Sequence, residues 1–375
     1  MARMTILSAA DALGPAFRRT RVVLAAPFRL GFFLKNALVA ALTQPGFYSV
    51  MISYPLQGAQ LAAGGATGHA QHMDFTGGGG VAAIGMAVAA VLALAGIALW
   101  VLATYLFCRL RFTLFDLVVY RQGRVREAWK KYERQTWRYF GVVLLTSFVF
   151  LILATASVGP FFIHMLKTMK AAGAQGVNAN PMAVAVQMLP LIGIFALLGL
   201  LWVVIDAVLQ DFILPPMAVE DAPIESALSR FFTLLREEPG QLFVYLLLRF
   251  VVAMGISWAL LMAVFIALML VALAGLAMGF GLYHALWHGG IGLRVVFIVI
   301  TALMALGLLA LYALAMVTVY GTAAVFKQSY AAYFFGGRYR ELGDRLEPPE
   351  EDFVGVRVEP PLPPLPPLSE PPPVW

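Results

Sequence analysis

The sequence predicts an all-α integral membrane protein with five to six transmembrane helices, amphipathic interfacial helices on the cytoplasmic side and a disordered, proline-rich C-terminal tail. Hydrophobic residues make up 61% of the 375 residues, charged residues make up only 12%, and the mean hydropathy is +0.83. A soluble globular chain carries roughly 45–50% apolar and about 25% charged residues. Because the apolar excess lies in long uncharged runs, it indicates membrane spans and not merely a large core.

The chain divides into three predicted regions. Residues 1–35 form a cytoplasmic interfacial amphipathic segment, residues 36–326 form a polytopic membrane domain, and residues 327–375 form a cytoplasmic tail. A spanning helix needs about 20 predominantly apolar residues. The predicted spans cover about 36–56, 81–107, 141–165, 185–208, 241–278 and 293–326.

Two of these spans are irregular. The first is broken at Gln44-Pro45-Gly46 and could equally be re-entrant. The fifth is longer than a bilayer requires, so it must tilt, protrude or break. Glycines are where we expect the break, at Gly275, Gly279 and Gly281.

Segment 211–240 is the longest polar interruption between two apolar segments and predicts an elbow at the membrane surface. Pro215-Pro216 is expected to stop one helix, and Pro223 suits the first turn of the next. Apolar residues then recur at the spacing of one helical face. They are Ile224, Ala227, Leu228, Phe231, Phe232 and Leu235. We therefore predict a short amphipathic helix that lies flat on the surface before Pro239-Gly240 returns the chain to the membrane.

A second polar segment, 108–140, holds a dense group of cations between two apolar runs. It contains Arg109, Arg111, Arg121, Arg124, Arg126, Lys130, Lys131, Arg134 and Arg138. This pattern favours an anionic membrane surface over nucleic acid as the partner, and by the positive-inside rule it faces the cytoplasm. We expect these residues to bind anionic lipid. We also expect a multi-pass protein of the bacterial inner membrane with both termini in the cytoplasm.

The two polar segments are related by a shift of 99 residues. Val125 then falls on Ile224, Ala128 on Ala227, and Tyr132 on Phe231. The match preserves chemical class rather than identity, and any two amphipathic interfacial helices could align in this way. We interpret it as a parallel internal repeat of helical hairpins.

The sequence VEDAPIESALSRFFTLL at 219–235, directly after the two prolines, resembles a segment of a broad group of bacterial multi-span proteins. The group includes YciC-like inner-membrane proteins and the membrane domain of some glycerophosphodiester phosphodiesterases. The resemblance extends over roughly the C-terminal two-thirds of the chain and implies a fold and a location. It implies no phosphodiesterase activity, because the catalytic domain of those enzymes would be a separate soluble barrel.

Four histidines are the weak candidates for metal ligands. His69 and His72 lie in a glycine-rich loop, whereas His284 and His288 are spaced i, i+4 on one helical face. The loop offers no organising framework, and the second pair flanks Trp287 where interfacial rings belong. We expect no metal site and no cofactor. The single cysteine, Cys108, excludes an intramolecular disulfide.

Asp206 and Arg249 are the ionisable residues inside otherwise apolar spans. Intramembrane charges are costly when unpaired and are therefore functional candidates. We expect the two residues to pair with each other and lock two neighbouring helices together. The alternative is that they belong to an ion or proton path.

The function that these features favour is non-enzymatic: organising lipid or a protein partner at the inner surface of the membrane. No nucleotide-binding, metalloprotease or nucleophile-elbow motif is present in the sequence. The alternative is a small-solute transporter or permease, although few polar residues converge at the predicted midplane. The run PPLPPLPPL at 360–368 is expected to be extended polyproline II and could dock in an aromatic-lined groove of a partner protein.

Overall fold

The computed structural model describes residues 6–25, 29–44, 46–48, 79–120, 125–174 and 181–347, and no strand occurs in these ranges. Residues 348–375, which hold the proline-rich end of the predicted tail, and residues 57–78 of the predicted glycine-rich loop lie outside the described residues. The helices are α1 (Leu13–Ala25), α2 (Leu30–Ala41), α3 (Gly79–Tyr120), α4 (Val125–Lys131), α5 (Glu133–Ala174), α6 (Pro181–Val208), α7 (Leu214–Glu220), α8 (Ile224–Glu237), α9 (Pro239–Leu286), α10 (Ile291–Gly336) and α11 (Arg340–Leu346).

Five of the helical segments are long and apolar enough to cross a membrane. They are Leu94–Tyr120, Glu133–Lys167, Leu189–Glu220, Pro239–Leu286 and Ile291–Gly336. The all-helical, multi-span prediction is confirmed at this level. The predicted span 36–56 overlaps α2, whose 12 residues reach only about 18 Å. Because residues 49–56 lie outside the described residues, that span stays a prediction.

Helix α9 does not break at its glycines. It runs for 48 residues through Gly275, Gly279 and Gly281, which corresponds to about 72 Å. The hydrocarbon core is only about 30 Å thick, so the helix must protrude from it or tilt within it. The expected break was wrong because glycine weakens a helix without interrupting its hydrogen bonds. Helix α10 returns antiparallel to α9 after a turn at residues 287–290.

The buried residues concentrate at one end of the long helices, which we call the base. The base consists of α1, α2, α7, α8 and α11 together with segments of the long helices. Those segments are 108–119, 132–143, 207–213, 242–253 and 316–336. Beyond the base, the long helices form arms whose large apolar side chains are exposed. An apolar surface of this extent requires a lipid or protein cover.

At Gly321, α2 and α10 approach so closely that no side chain fits between them. A Cβ atom built on Gly321 would lie 2.8 Å from the Cα atom of Ala37. Ala37 is itself fully buried. The pair therefore fixes the spacing of α2 from α10 in the base.

The two prolines of the elbow do not end the helix, which corrects the prediction. Residues Leu209–Ile213 form a π turn, and α7 follows with the prolines in its first turn. Proline lacks an N–H and its ring clashes with the carbonyl group four residues earlier in an α-helix. The wider π turn accommodates both effects, because π turns are inserted where the α ladder is interrupted. The helical run ends at Glu220, and Asp221 follows in the left-handed conformation at φ 53°.

The amphipathic helix predicted in the elbow is confirmed as α8. Proline 223 caps it in an extended conformation instead of standing in its first turn. The apolar residues of α8 lie in two environments. Ala227, Phe231 and Leu234 are buried in the base. Three apolar side chains at helical spacing stay exposed, namely Leu228, Phe232 and Leu235.

Helices α4 and α8 are short helices that start 99 residues apart in the sequence. They begin at Val125 and Ile224, the two positions that the repeat aligns. The aligned residues Tyr132 and Phe231 are both buried. Similar packing of two short helices does not by itself establish a duplication, so the internal repeat stays a prediction.

Candidate functional site

Two ion pairs lie in the base where α3, α6, the π turn and α9 meet. Arg111 on α3 pairs with Asp206 on α6. Arg249 on α9 pairs with Asp211 in the π turn, with 2.6 Å between Nε and Oδ2. The predicted partnership of Asp206 with Arg249 is therefore wrong, since each residue pairs directly with another partner. Asp206 and Arg249 are nevertheless close enough to interact electrostatically.

The π turn explains why Arg249 pairs with Asp211 and not with the predicted partner, Asp206. Residues five apart in an α-helix point about 140° away from each other. A π turn closes its hydrogen bonds at five residues instead of four, which brings such residues nearer to one face. Asp206 and Asp211 therefore interact electrostatically and belong to one group of charges. Arg249 pairs with Asp211 in the π turn, and Asp206 pairs with Arg111.

Both pairs are supported by buried tyrosines. The Tyr245 hydroxyl donates to Asp211 Oδ2 at 2.7 Å, and Arg111 Nη1 donates to the Tyr139 hydroxyl at 3.3 Å. Arg111 and Asp211 are each 1% exposed, and Tyr245 is fully buried. Buried charges persist only when they are paired and hydrogen-bonded. This arrangement is therefore part of the packed core of the base.

A third cation, Lys327 on α10, joins the group without a carboxylate of its own. Its ammonium donates to Gln44 Oε1. Among the described residues no carboxylate lies within ion-pairing distance of Lys327, although both aspartates interact with it electrostatically. We call Arg111, Asp206, Asp211, Arg249 and Lys327 the charge layer. It holds three cations and two carboxylates, so one positive charge is unbalanced.

A pocket of about 230 Å³ opens beside the charge layer, between the end of α2 and helices α6, α9 and α10. Arg249 and Lys327 supply its cationic side, and Gln44, Ser257 and Tyr320 add polar groups. The remaining lining is apolar: Val203, Phe250, Ala253, Met254 and Ala323. The pocket therefore combines a cationic end with an apolar wall.

The basic segment 108–140 has two different faces. Arg111 is buried in the charge layer, so its predicted contact with lipid headgroups is wrong. Arg109 is also turned inward, where its Nη2 donates to the Trp129 carbonyl oxygen at 2.9 Å. Arg121 and Arg124 lie outside the described residues. Of the nine predicted lipid-binding residues, two are therefore turned into the structure and two lie outside the described residues.

Two further cations of the segment are engaged with carboxylates. Lys131 pairs with Asp116 at 3.0 Å, and Arg138 approaches Asp221 at 3.4 Å. Tyr132 also donates to Asp116, at 2.7 Å, and burial raises the pKa of its hydroxyl so that the proton is retained. Asp116 therefore pairs within the basic segment, whereas Arg111 pairs with Asp206.

Three cations remain exposed and form what we call the basic stripe: Arg126, Lys130 and Arg134. They are spaced four residues apart, which places them along one side of the helical segment that α4 and α5 form. Among the described residues none of the three makes a hydrogen bond or ion pair. Trp137, which is 58% exposed, follows three residues later. Glu133 is exposed beside the stripe.

The histidines form no metal site among the described residues, where no group of three or more potential ligands occurs. The rings of His284 and His288 stack with centroids 6.4 Å apart, next to Tyr283. His69 and His72 lie outside the described residues.

Sequence reasoning missed Asp211 and Lys327 because both stood at the edges of predicted spans. Asp211 was counted as the first residue of the elbow, and Lys327 as the first residue of the tail. The missed signal is the absence of a helix breaker after Lys327 before Gly336-Gly337. The chain is helical through both positions, so the Asp211 and Lys327 side chains lie in the base.

Comparison with known proteins identifies a family. A family model described as a family of unknown function (DUF7544) matches residues 7–345. No curated protein and no solved structure matches the chain. The matched region contains the charge layer, all five apolar segments and the base except Leu346. The resemblance to YciC-like proteins and to the phosphodiesterase membrane domain stays a prediction.

Proposed function

We propose that this chain, which belongs to a family of unknown function (DUF7544), is a non-enzymatic integral membrane protein that gathers anionic lipid around its base. The observation that carries the proposal is the basic stripe. Three cations are exposed along one side, without partners among the described residues, and Trp137 is exposed next to them. Cations flanked by aromatic rings are typical of protein surfaces at headgroup depth.

The position of the stripe along α5 supports this function. Exposed aliphatic side chains of α5 begin at Leu145, 11 residues after Arg134, or about 16 Å along the helix. The stripe thus stands just outside the apolar arm. The exposed apolar residues of α8 (Leu228, Phe232 and Leu235) give the base a second contact with the interface.

The same proposal places the base in the cytoplasm of a bacterial cell, with the arms in the inner membrane and both termini cytoplasmic. Its support is the bias of Lys and Arg toward the base and the N-terminal segment. The proline-rich run at 360–368 would then be available to a cytoplasmic protein partner.

Cysteine labelling tests this orientation. In a Cys108→Ser background, Lys130→Cys is expected to resist a membrane-impermeant maleimide in intact cells and to react after the inner membrane is opened. Gly290→Cys, in the exposed turn at the far end of α9 and α10, is the control that should react in intact cells. Labelling of position 130 from outside would reverse the proposed topology.

The variant Arg126→Gln/Lys130→Gln/Arg134→Gln tests lipid gathering. Each cation near an anionic surface contributes about 1 kcal/mol, so the wild-type protein in vesicles should prefer phosphatidylglycerol to phosphatidylcholine, and the variant should lose this preference at least about tenfold. Spin-labelled lipids measure the preference directly. High salt should weaken it in the wild-type protein.

The matched control is Arg18→Gln/Arg236→Gln/Arg340→Gln, which removes the same charge from exposed positions outside the stripe. It should keep most of the preference. Equal losses in both variants would mean that only net charge matters. An unchanged preference in the stripe variant would refute the proposal.

A small-solute transporter is the second candidate, and the charge layer favours it. Charges beside a pocket and an interrupted helix also occur at transport sites. Against it, both ion pairs lie in a packed region of the base. Solute or ion flux in proteoliposomes that is lost in Arg249→Gln, while the variant folds normally, would favour the transporter.

A further inference from the structure

We propose that the pocket beside the charge layer binds one anionic amphiphile, with its phosphate or carboxylate headgroup on Lys327 and Arg249 and its apolar chain on the wall formed by Phe250 and Met254. This site is separate from the basic stripe. It takes a single molecule at a defined position, whereas the stripe attracts lipid along a surface.

The charges of the layer favour an anion. Both carboxylates are engaged, Asp206 by Arg111 and Asp211 by Arg249. The Lys327 ammonium has a neutral amide, Gln44, as its hydrogen-bond partner. One positive charge in a region of low dielectric is thus without a direct counter-charge, and a bound anion would supply it.

The hydrogen-bond donors fit a headgroup with several oxygen atoms. Asp211 occupies the Nε and Nη2 side of the Arg249 guanidinium. Among the described residues Arg249 Nη1 donates no hydrogen bond, and Arg249 lines the pocket. Ser257 belongs to the same lining, about two helical turns beyond Phe250. Phosphate and carboxylate oxygens accept from guanidinium, ammonium and hydroxyl groups alike.

The pocket's surroundings favour a ligand with an apolar chain. Phe250 is 47% exposed and Met254 is 45% exposed, although both line the pocket. They stand where the base passes into the exposed arm of α9. The volume of about 230 Å³ suits a headgroup but is below the usual range for a whole amphiphile, about 300–1,000 Å³. The chain would therefore leave the pocket along the arm.

Native mass spectrometry of the full-length protein in detergent tests the site, with dioctanoyl phosphatidylglycerol, dioctanoyl phosphatidylcholine and inorganic phosphate as separate probes. We expect phosphatidylglycerol to bind with a stoichiometry of one. Lys327→Gln should weaken this binding about ten- to hundredfold, because it removes a charged hydrogen bond. Arg18→Gln, at an exposed position outside both the charge layer and the basic stripe, should leave the single bound molecule in place.

Ser257→Leu provides a second test that leaves every charge intact. Its larger side chain fills the pocket and should block phosphatidylglycerol even if Lys327→Gln folds poorly. Undiminished binding in Ser257→Leu would overturn the proposal, as would equal binding of phosphatidylcholine by the wild-type protein. Inorganic phosphate that binds as tightly as phosphatidylglycerol would show that the site takes a free anion and no chain. Loss of lipid preference in the stripe variant alone would leave this site unaffected, so the two proposals can fail separately.

Discussion

Asp211→Asn is expected to destabilise the folded protein by about 3–5 kcal/mol, the usual cost of removing one partner from a buried ion pair. The substitution keeps the shape of the side chain but leaves the Arg249 guanidinium charged and without its carboxylate. Arg249 is only 6% exposed, so water replaces the lost carboxylate poorly. The readout is the melting temperature in detergent, together with the yield of monodisperse protein.

Asp221→Asn is the matched control, ten residues further along the same segment. Its carboxylate lies 3.4 Å from Arg138, and both side chains are well exposed, at 42% and 36%. Exposed pairs contribute about 0–1 kcal/mol. Asparagine also tolerates the left-handed conformation at this position. Similar melting temperatures for the two variants would contradict the structural role of the Asp211 pair.

A second-site substitution separates charge from packing. Adding Arg249→Gln to Asp211→Asn removes the isolated cation, so part of the lost stability should return. No recovery would mean that the geometry of the π turn, and not the unpaired charge, accounts for the loss.

Gly321→Ala is expected to force α2 away from α10, with a cost of about 1–3 kcal/mol or more for overpacking. The added Cβ atom meets the backbone of Ala37, which cannot rotate aside as a side chain could. Tyr320 and Phe47 also pack on each other close to this crossing, at 5.9 Å between ring centroids. The measurement is again the melting temperature in detergent.

Gly307→Ala on the same helix is the control. Nothing lies within 4 Å of its added Cβ atom. Alanine is a better helix former than glycine by up to about 1 kcal/mol, so this variant should be neutral or slightly stabilised. If Gly321→Ala melted at or above the temperature of Gly307→Ala, the close crossing of α2 and α10 would be disproved.

The apolar segments could be predicted from the sequence because composition alone distinguishes them. The base could not, because its helices continue past the last apolar residue of each span. Asp211 and Lys327 look like ends of spans to a hydropathy pattern, yet both lie within continuous helical runs that pack against other helices. Hydropathy indicates which residues tolerate lipid. It does not indicate where polar residues pack against one another next to the membrane.

The partners within the charge layer were beyond sequence reasoning for a different reason. Arg111 stands among nine cations of one segment, and only its burial against α6 distinguishes it from Arg126 or Arg134. Burial depends on which face of α3 meets the neighbouring helix. The proline pair was also misread, because a π turn admits prolines that an uninterrupted α-helix would not.

The π turn at Leu209–Ile213 sets the angular phase between the α6 arm and the base. If the same residues closed as an α-helix instead, every residue before the turn would rotate by about 100° relative to α7. Asp206 would then swing away from Arg111 while Asp211 kept its place beside Arg249. The number of residues in this turn, more than the identity of any one of them, therefore holds the two ion pairs in a common orientation.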